Sequence, residues 1–177
     1  MRHPVVKKNQ GIQSAGITAP SLIWMRLLGR RFSFWGEDMY SLKTSAAFDS
    51  AHFLAGYNGK CANIHGHRWV IETVAAQKDL IEEGEKRGMI LDFSDLKQAV
   101  RKLADSFDHM LIYERDSLRP TTVAALEEEG FRLREVTFRP TAENFARYFY
   151  QLLSERQLPI KSVTVYETPE NSATYEE

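Results

Sequence analysis

Two alternating stretches constrain this fold more than any other feature, because each carries histidine at one end. In residues 40–53, Ala46, Phe48, Ser50 and His52 share one face, opposite Ala47, Asp49 and Ala51. In residues 65–76, His67, Trp69, Ile71, Thr73 and Ala75 lie on one side and Arg68, Val70, Glu72 and Val74 on the other. A period of two marks a half-buried strand. His65 and His67, two positions apart, therefore point the same way, and His52 can reach the same point from a neighbouring strand. Between the stretches, residues 54–63 contain Gly56, Asn58 and Gly59, a loop composition that includes Cys61.

Three neutral imidazoles with one coordination position left open form the donor set of a catalytic zinc. A lone histidine on an apolar face is more often a hydrogen-bonded core residue, and two histidines flanking a glycine are weak evidence alone. His52 and Cys61 add to that evidence. A closed structural site with Cys61 as fourth ligand is the alternative. Structural zinc sites commonly use several cysteines, whereas this chain has one. An open metal site beside a reactive thiol is the favoured reading.

Further along, Asp92 or Ser94 can cap a helix over residues 95–107, with Leu96, Val100, Leu103 and Phe107 at helical spacing. Asp108-His109 closes that helix, either as a dipole-favoured terminus or as an acid/base pair. Residues 119–138 form an irregular section. It holds a short helix over 121–129, stopped by Gly130, and then a strand over 131–138. Pro140-Thr141 opens a second long helix with Glu143 in its first turn and a stripe of Phe145, Phe149, Leu152 and Leu153. The last strand, 160–167, places Val163, Val165 and Glu167 on one face, so a carboxylate ends an apolar row.

The 177 residues suit one domain, and 43% hydrophobic residues suffice for a core. The single cysteine excludes an internal disulfide and fits a reducing, cytoplasmic location. No apolar run approaches the ~18 residues of a membrane span, and a net charge of −1 argues against nucleic acid as a partner. The charge is unevenly spread. Residues 1–36 carry six Lys or Arg and no acidic residue, leaving 17 basic against 24 acidic groups elsewhere. Residues 1–38 are accordingly read as a poorly ordered basic N-terminal extension, and 39–177 as the catalytic domain.

The motif order is Phe48-Asp49-Ser50-Ala51-His52, Cys61-x-x-x-His65-Gly66-His67, the run Gly88 to Phe93, Asp108-His109, Pro140-Thr141-Ala142-Glu143-Asn144 and Tyr166-Glu167-Thr168. From about Tyr40 onward this closely resembles the 6-pyruvoyl-tetrahydropterin synthase family. Within that family it is most similar to the carboxy-forming, queuosine-pathway branch. Three residues separate Cys61 from His65, as in that branch, and Cys61 is kept where another branch has Glu. The long 119–138 section and the basic leader depart from the family pattern.

The resemblance implies an α+β tunnelling fold, with an antiparallel four-stranded sheet, two helices on one face and sheets joined into an oligomeric barrel. The assembly implied is a homohexamer, a dimer of trimers, which would remove unpaired sheet edges. His52, His65 and His67 would hold Zn²⁺. Cys61 would be the base, and Asp108 and His109 would complete a proton relay. Glu167 would anchor the pterin and share in the relay, with Thr141 and Glu143 nearby. The implied substrate is 7,8-dihydroneopterin triphosphate, converted by a zinc-dependent lyase to 6-carboxy-5,6,7,8-tetrahydropterin, acetaldehyde and triphosphate. Lys60 and Arg68 are the nearest candidates for the triphosphate. The rivals are formation of the 6-pyruvoyl product and a non-catalytic, zinc-stabilised pterin-binding protein.

Overall fold

The structure, a computed structural model, describes residues 38–177. The basic segment expected over 1–38 falls, apart from Asp38, outside the described residues. Six strands form one sheet: β1 (Tyr40–His52), β2 (His65–Gln77), β3 (Leu111–Glu114), β4 (Leu133–Val136), β5 (Ile160–Tyr166) and β6 (Ser172–Glu176). Three α-helices are interspersed: α1 (Phe93–Asp105), α2 (Pro120–Glu128) and α3 (Ala142–Ser154). The strand order is β4-β3-β1-β2-β5-β6.

The expected four-stranded antiparallel sheet is therefore corrected to a six-stranded mixed sheet. Strands β1, β2, β5 and β6 are mutually antiparallel neighbours, while β3 runs parallel to β1 and β4 parallel to β3. The additions have a local cause. The 119–138 section folds as the expected helix and strand, and with β3 before it makes the strand–helix–strand crossover that a parallel pair requires. Helix α2 ends in a Schellman turn, with Gly130 at φ +82° and N–H bonds from Gly130 to Glu127 and from Phe131 to Leu126. It buries no residue. Residues 89–93, whose composition suits a short strand or a bend, bend at Ile90 and Leu91 and enter α1 at Phe93.

The core lies between the sheet and the two longer helices. Phe48, Trp69, Ile71, Val163 and Val165 from β1, β2 and β5 pack with Leu96, Val100 and Leu103 of α1 and Phe145, Phe149 and Leu153 of α3. Aromatic rings run through it. Phe48 stacks on Trp69, and Trp69 meets Phe145 edge-on at 5.1 Å. Both α1 and α3 start on an accepting side chain: Asp92 takes the Ser94 N–H and Thr141 the Asn144 N–H.

This arrangement fixes one end of β1 with particular firmness. The β1–β2 ladder runs from Tyr40↔Gln77 to His52↔His65, and β3 pairs with β1 only at Ala51 and His52. The last residue of β1 is thus held from both sides.

Candidate metal centre

His52 is fully buried, with 1% of its surface exposed, and stands opposite His65 on the ladder. The three imidazoles cluster, with ring centroids 4.5 Å apart for His52–His65, 5.2 Å for His52–His67 and 5.0 Å for His65–His67. Beneath them Trp69 lies edge-on to His52 and His67, at 4.9 and 5.3 Å. The alternation that puts His67 on the core face also puts Trp69 there.

Hydrogen bonds set the tautomers. His52 Nδ1 is 2.8 Å from the Pro140 carbonyl and His65 Nδ1 is 2.8 Å from the Asn63 carbonyl. A carbonyl only accepts, so each Nδ1 carries the proton and each neutral ring leaves Nε2 as a lone pair. The Nε2 atoms of His52, His65 and His67 are all buried without a hydrogen-bond partner. An unmatched buried polar atom costs on the order of 1–3 kcal/mol; three that converge form a cradle for a cation. Burial lowers the His52 pKa from 6.5 to about 4, opposed by the Pro140 hydrogen bond and reinforced by the other two histidines. Burial also lowers that of His67, against the raising effect of Glu167.

Glu167 completes the cluster. Its Oε1 lies 3.5 Å from His52 Nε2 and 3.4 Å from His67 Nε2. One donor atom from each of His52, His65, His67 and Glu167 falls within 4.8 Å of the others. Three imidazoles and a carboxylate fit zinc by donor type. Cys61 does not belong to this set. It sits on a 3₁₀ turn, Lys60–Ala62, and its carbonyl closes the loop by accepting the Leu54 N–H at 2.8 Å.

Cys61 does share a cavity with the centre. A space of about 260 Å³ is lined by His52, Cys61, Thr141, Glu143 and Glu167, with Tyr57 and Asn171 also on its wall. The sequence reasoning did not single out Tyr57, Asn171 or the Pro140 and Asn63 carbonyls. Backbone acceptors carry no side-chain signal, and Asn171 enters through the turn into β6.

Asp108 and His109 are not on that wall. Asp108 accepts the Asp49 N–H at 2.8 Å and pairs with His109 Nδ1 at 2.8 Å; these bonds, the first most strongly, hold its pKa below the usual carboxylate value. His109, at φ 54°, faces a second hollow of about 470 Å³ with Ile64, Leu126 and Phe131. Arg68 is also turned away from the centre and pairs with Asp49 at 2.9 Å, while Lys60 is exposed.

An α+β fold that gathers three unpartnered imidazole nitrogens, a carboxylate and a nearby thiol has the donor set of a metal-dependent enzyme. Residues 41–177 match the family model described as 6-pyruvoyl tetrahydropterin synthase. The chain belongs to that family. It is 39% identical over 142 residues to the 6-carboxy-5,6,7,8-tetrahydropterin synthase of Haemophilus influenzae, covering 78% of this chain and 100% of the relative. The protein of the same description from Aquifex aeolicus is 31% identical over 128 residues, covering 67% of this chain and 76% of the relative. The fold is shared with an uncharacterised protein of Wolinella succinogenes, at TM-score 0.66 and 20% identity, covering 78% of this chain and 98% of that one. It is also shared with 6-pyruvoyltetrahydropterin synthase from Plasmodium vivax, at TM-score 0.58 and 20% identity, covering 79% and 98%.

Proposed function

We propose that the chain converts 7,8-dihydroneopterin triphosphate and water to 6-carboxy-5,6,7,8-tetrahydropterin, acetaldehyde and triphosphate, as a zinc-dependent lyase of queuosine biosynthesis in the cytoplasm. One observation carries the chemistry: three buried, unpartnered imidazole Nε2 atoms converge with Glu167, and His52 and Glu167 of that cluster line the same cavity as Cys61. The relatedness to the Haemophilus influenzae enzyme supports the choice of product. Among the described residues no helix is long and apolar enough to cross a membrane.

His52, His65 and His67 would hold zinc, whose Lewis acidity lowers the cost of negative charge on the substrate's side-chain oxygens. The Pro140 and Asn63 carbonyls keep His52 and His65 in the tautomer that presents Nε2. Cys61 acts as the base that takes a proton from the substrate side chain. A thiolate forms more readily near positive charge than in water. Glu167 accepts two parallel N–H bonds from the amino-pyrimidinone edge of the pterin. Thr141 and Glu143 stand on the same wall, although the Thr141 hydroxyl is partly engaged by the Asn144 N–H at 3.4 Å.

Asp108 and His109 serve the relay from a neighbouring copy, since His109, which Asp108 holds through Nδ1, lines a different hollow from Cys61 of its own chain. That requirement suits a homohexamer, a dimer of trimers built on residues 39–177.

Zinc-loaded protein incubated with 7,8-dihydroneopterin triphosphate tests this directly. Mass analysis should find the carboxy product, and a carbonyl trap should collect equimolar acetaldehyde. A pyruvoyl product without acetaldehyde would overturn the assignment.

A further inference from the structure

Glu167 and the two imidazoles it faces present a conflict. His52 Nε2 bears a lone pair, because its Nδ1 proton is committed to the Pro140 carbonyl. Its neighbour across 3.5 Å is a carboxylate oxygen, which also only accepts; the same oxygen lies 3.4 Å from His67 Nε2. Neither contact is a hydrogen bond, since both Nε2 atoms are buried without a partner. Acceptors packed against acceptors repel unless a cation lies among them. His65, whose Nδ1 proton is committed to the Asn63 carbonyl, brings a second bare Nε2 to the same point.

The carboxylate is also placed to leave. Glu167 follows the last residue of β5, where its backbone N–H is fixed by the Asn171 carbonyl at 3.0 Å. Its side chain retains 31% exposure and lines the cavity. The backbone is pinned while the side chain has room to turn.

We propose that Glu167 is a displaceable fourth ligand: in the pterin-free protein its carboxylate closes the coordination of the metal held by the three histidines, and a bound pterin ring draws it away. The coordination half of this rests on the cluster geometry alone, and the displacement half rests on the proposed function. The device joins recognition to activation. A ring that claims the carboxylate opens the metal position that the substrate's own oxygens need, so the centre stays closed to stray ligands until a pterin arrives.

Cobalt(II) provides a readout independent of turnover, because its visible absorption reports coordination number and donor type. Metal-free wild type, Glu167→Gln and Glu167→Asp are loaded with Co²⁺ and titrated with 6-methylpterin, which has the ring edge but no side-chain hydroxyl. The wild type should differ from both variants in band position and intensity. It should also bind Co²⁺ more tightly, on the order of 10- to 100-fold. Saturating 6-methylpterin should move the wild-type spectrum towards that of Glu167→Gln and leave the variant spectrum in place. Superimposable spectra and equal affinities for wild type and both variants would overturn the ligand role. A wild-type spectrum unmoved by 6-methylpterin, with binding verified by calorimetry, would overturn the displacement. Absence of pterin binding to the wild type would sink the displacement together with the pterin reading, while the difference between wild type and Glu167→Gln would still uphold the ligand role.

Discussion

His52 donates its Nδ1 proton to the carbonyl oxygen of Pro140, 88 positions along the chain, at 2.8 Å. The bond ties the end of β1 to the turn that starts α3, and it decides which nitrogen is left bare. His52 therefore has a packing duty that the more exposed His65 and His67 do not share. His52→Ala should abolish metal binding and also destabilise the metal-free fold by about 2–4 kcal/mol, through a cavity and an orphaned carbonyl. His65→Ala and His67→Ala should lose metal affinity with a smaller change in metal-free stability. Denaturant melts in chelator, alongside metal analysis, will check the ranking; equal destabilisation by all three would contradict it.

Acid should weaken the metal-free protein in a defined window. The unfolded chain takes a proton on His52 near pH 6.5, whereas the folded chain resists until about pH 4. The stability linked to this histidine is present in full above pH 6.5 and is lost as pH falls towards 4, up to about 3 kcal/mol in total. His67 acts in the same direction. Denaturant melts of metal-free protein between pH 7 and pH 4.5 should show this slope, and His52→Gln should reduce it.

Cys61→Ala separates base from ligand. The thiol shares the cavity but lies outside the converging donor set. Zinc content and melting temperature should hold, while turnover falls by roughly 10²–10⁴. Zinc lost in step with activity would make Cys61 a ligand instead.

Arg139 links two halves of the site. Its guanidinium donates to the Ala55 carbonyl in the loop that carries Cys61, and its own carbonyl accepts from the Asn144 side chain at 3.0 Å. Arg139→Ala should free the loop while Asn144 still braces the Pro140 turn. Zinc content should therefore persist, Cys61 should react faster with iodoacetamide, and kcat should drop on the order of 10²-fold for a displacement near 1 Å. Arg139→Lys should recover part of the loss. An unchanged alkylation rate in Arg139→Ala would show that the loop does not depend on this contact.

The candidate ligands were legible because a strand displays its period in few residues. His52, His65 and His67 share faces with Phe48 and Trp69, and those faces are buried. Helices α1 and α3 were legible for the same reason, from stripes such as Leu96, Val100 and Leu103. Two of the short strands were not. Leu111–Glu114 spans four residues, too few to show alternation, and its parallel pairing with β1 depends on a chain path that no local pattern encodes. Ser172–Glu176 alternates between exposed and half-buried positions, so it lacks the apolar face that marks an inner strand. Asp108 and His109 were visible as neighbours, but which hollow they face is set by the bond from His109 N–H to the Asp49 carbonyl.

The β1–β2 ladder ends on the rung His52↔His65, after a connection too long to dictate how its two strands align. Sliding one strand by a single residue would send His52 to the opposite side of the sheet and scatter the donors. A chain paired out of step could still bury much apolar surface, yet it could not assemble the three-nitrogen cradle. Metal uptake therefore discriminates between alignments that hydrophobic burial alone separates less sharply. An ion held by His52, His65 and His67 would serve as an inspector of strand pairing before it served any chemistry.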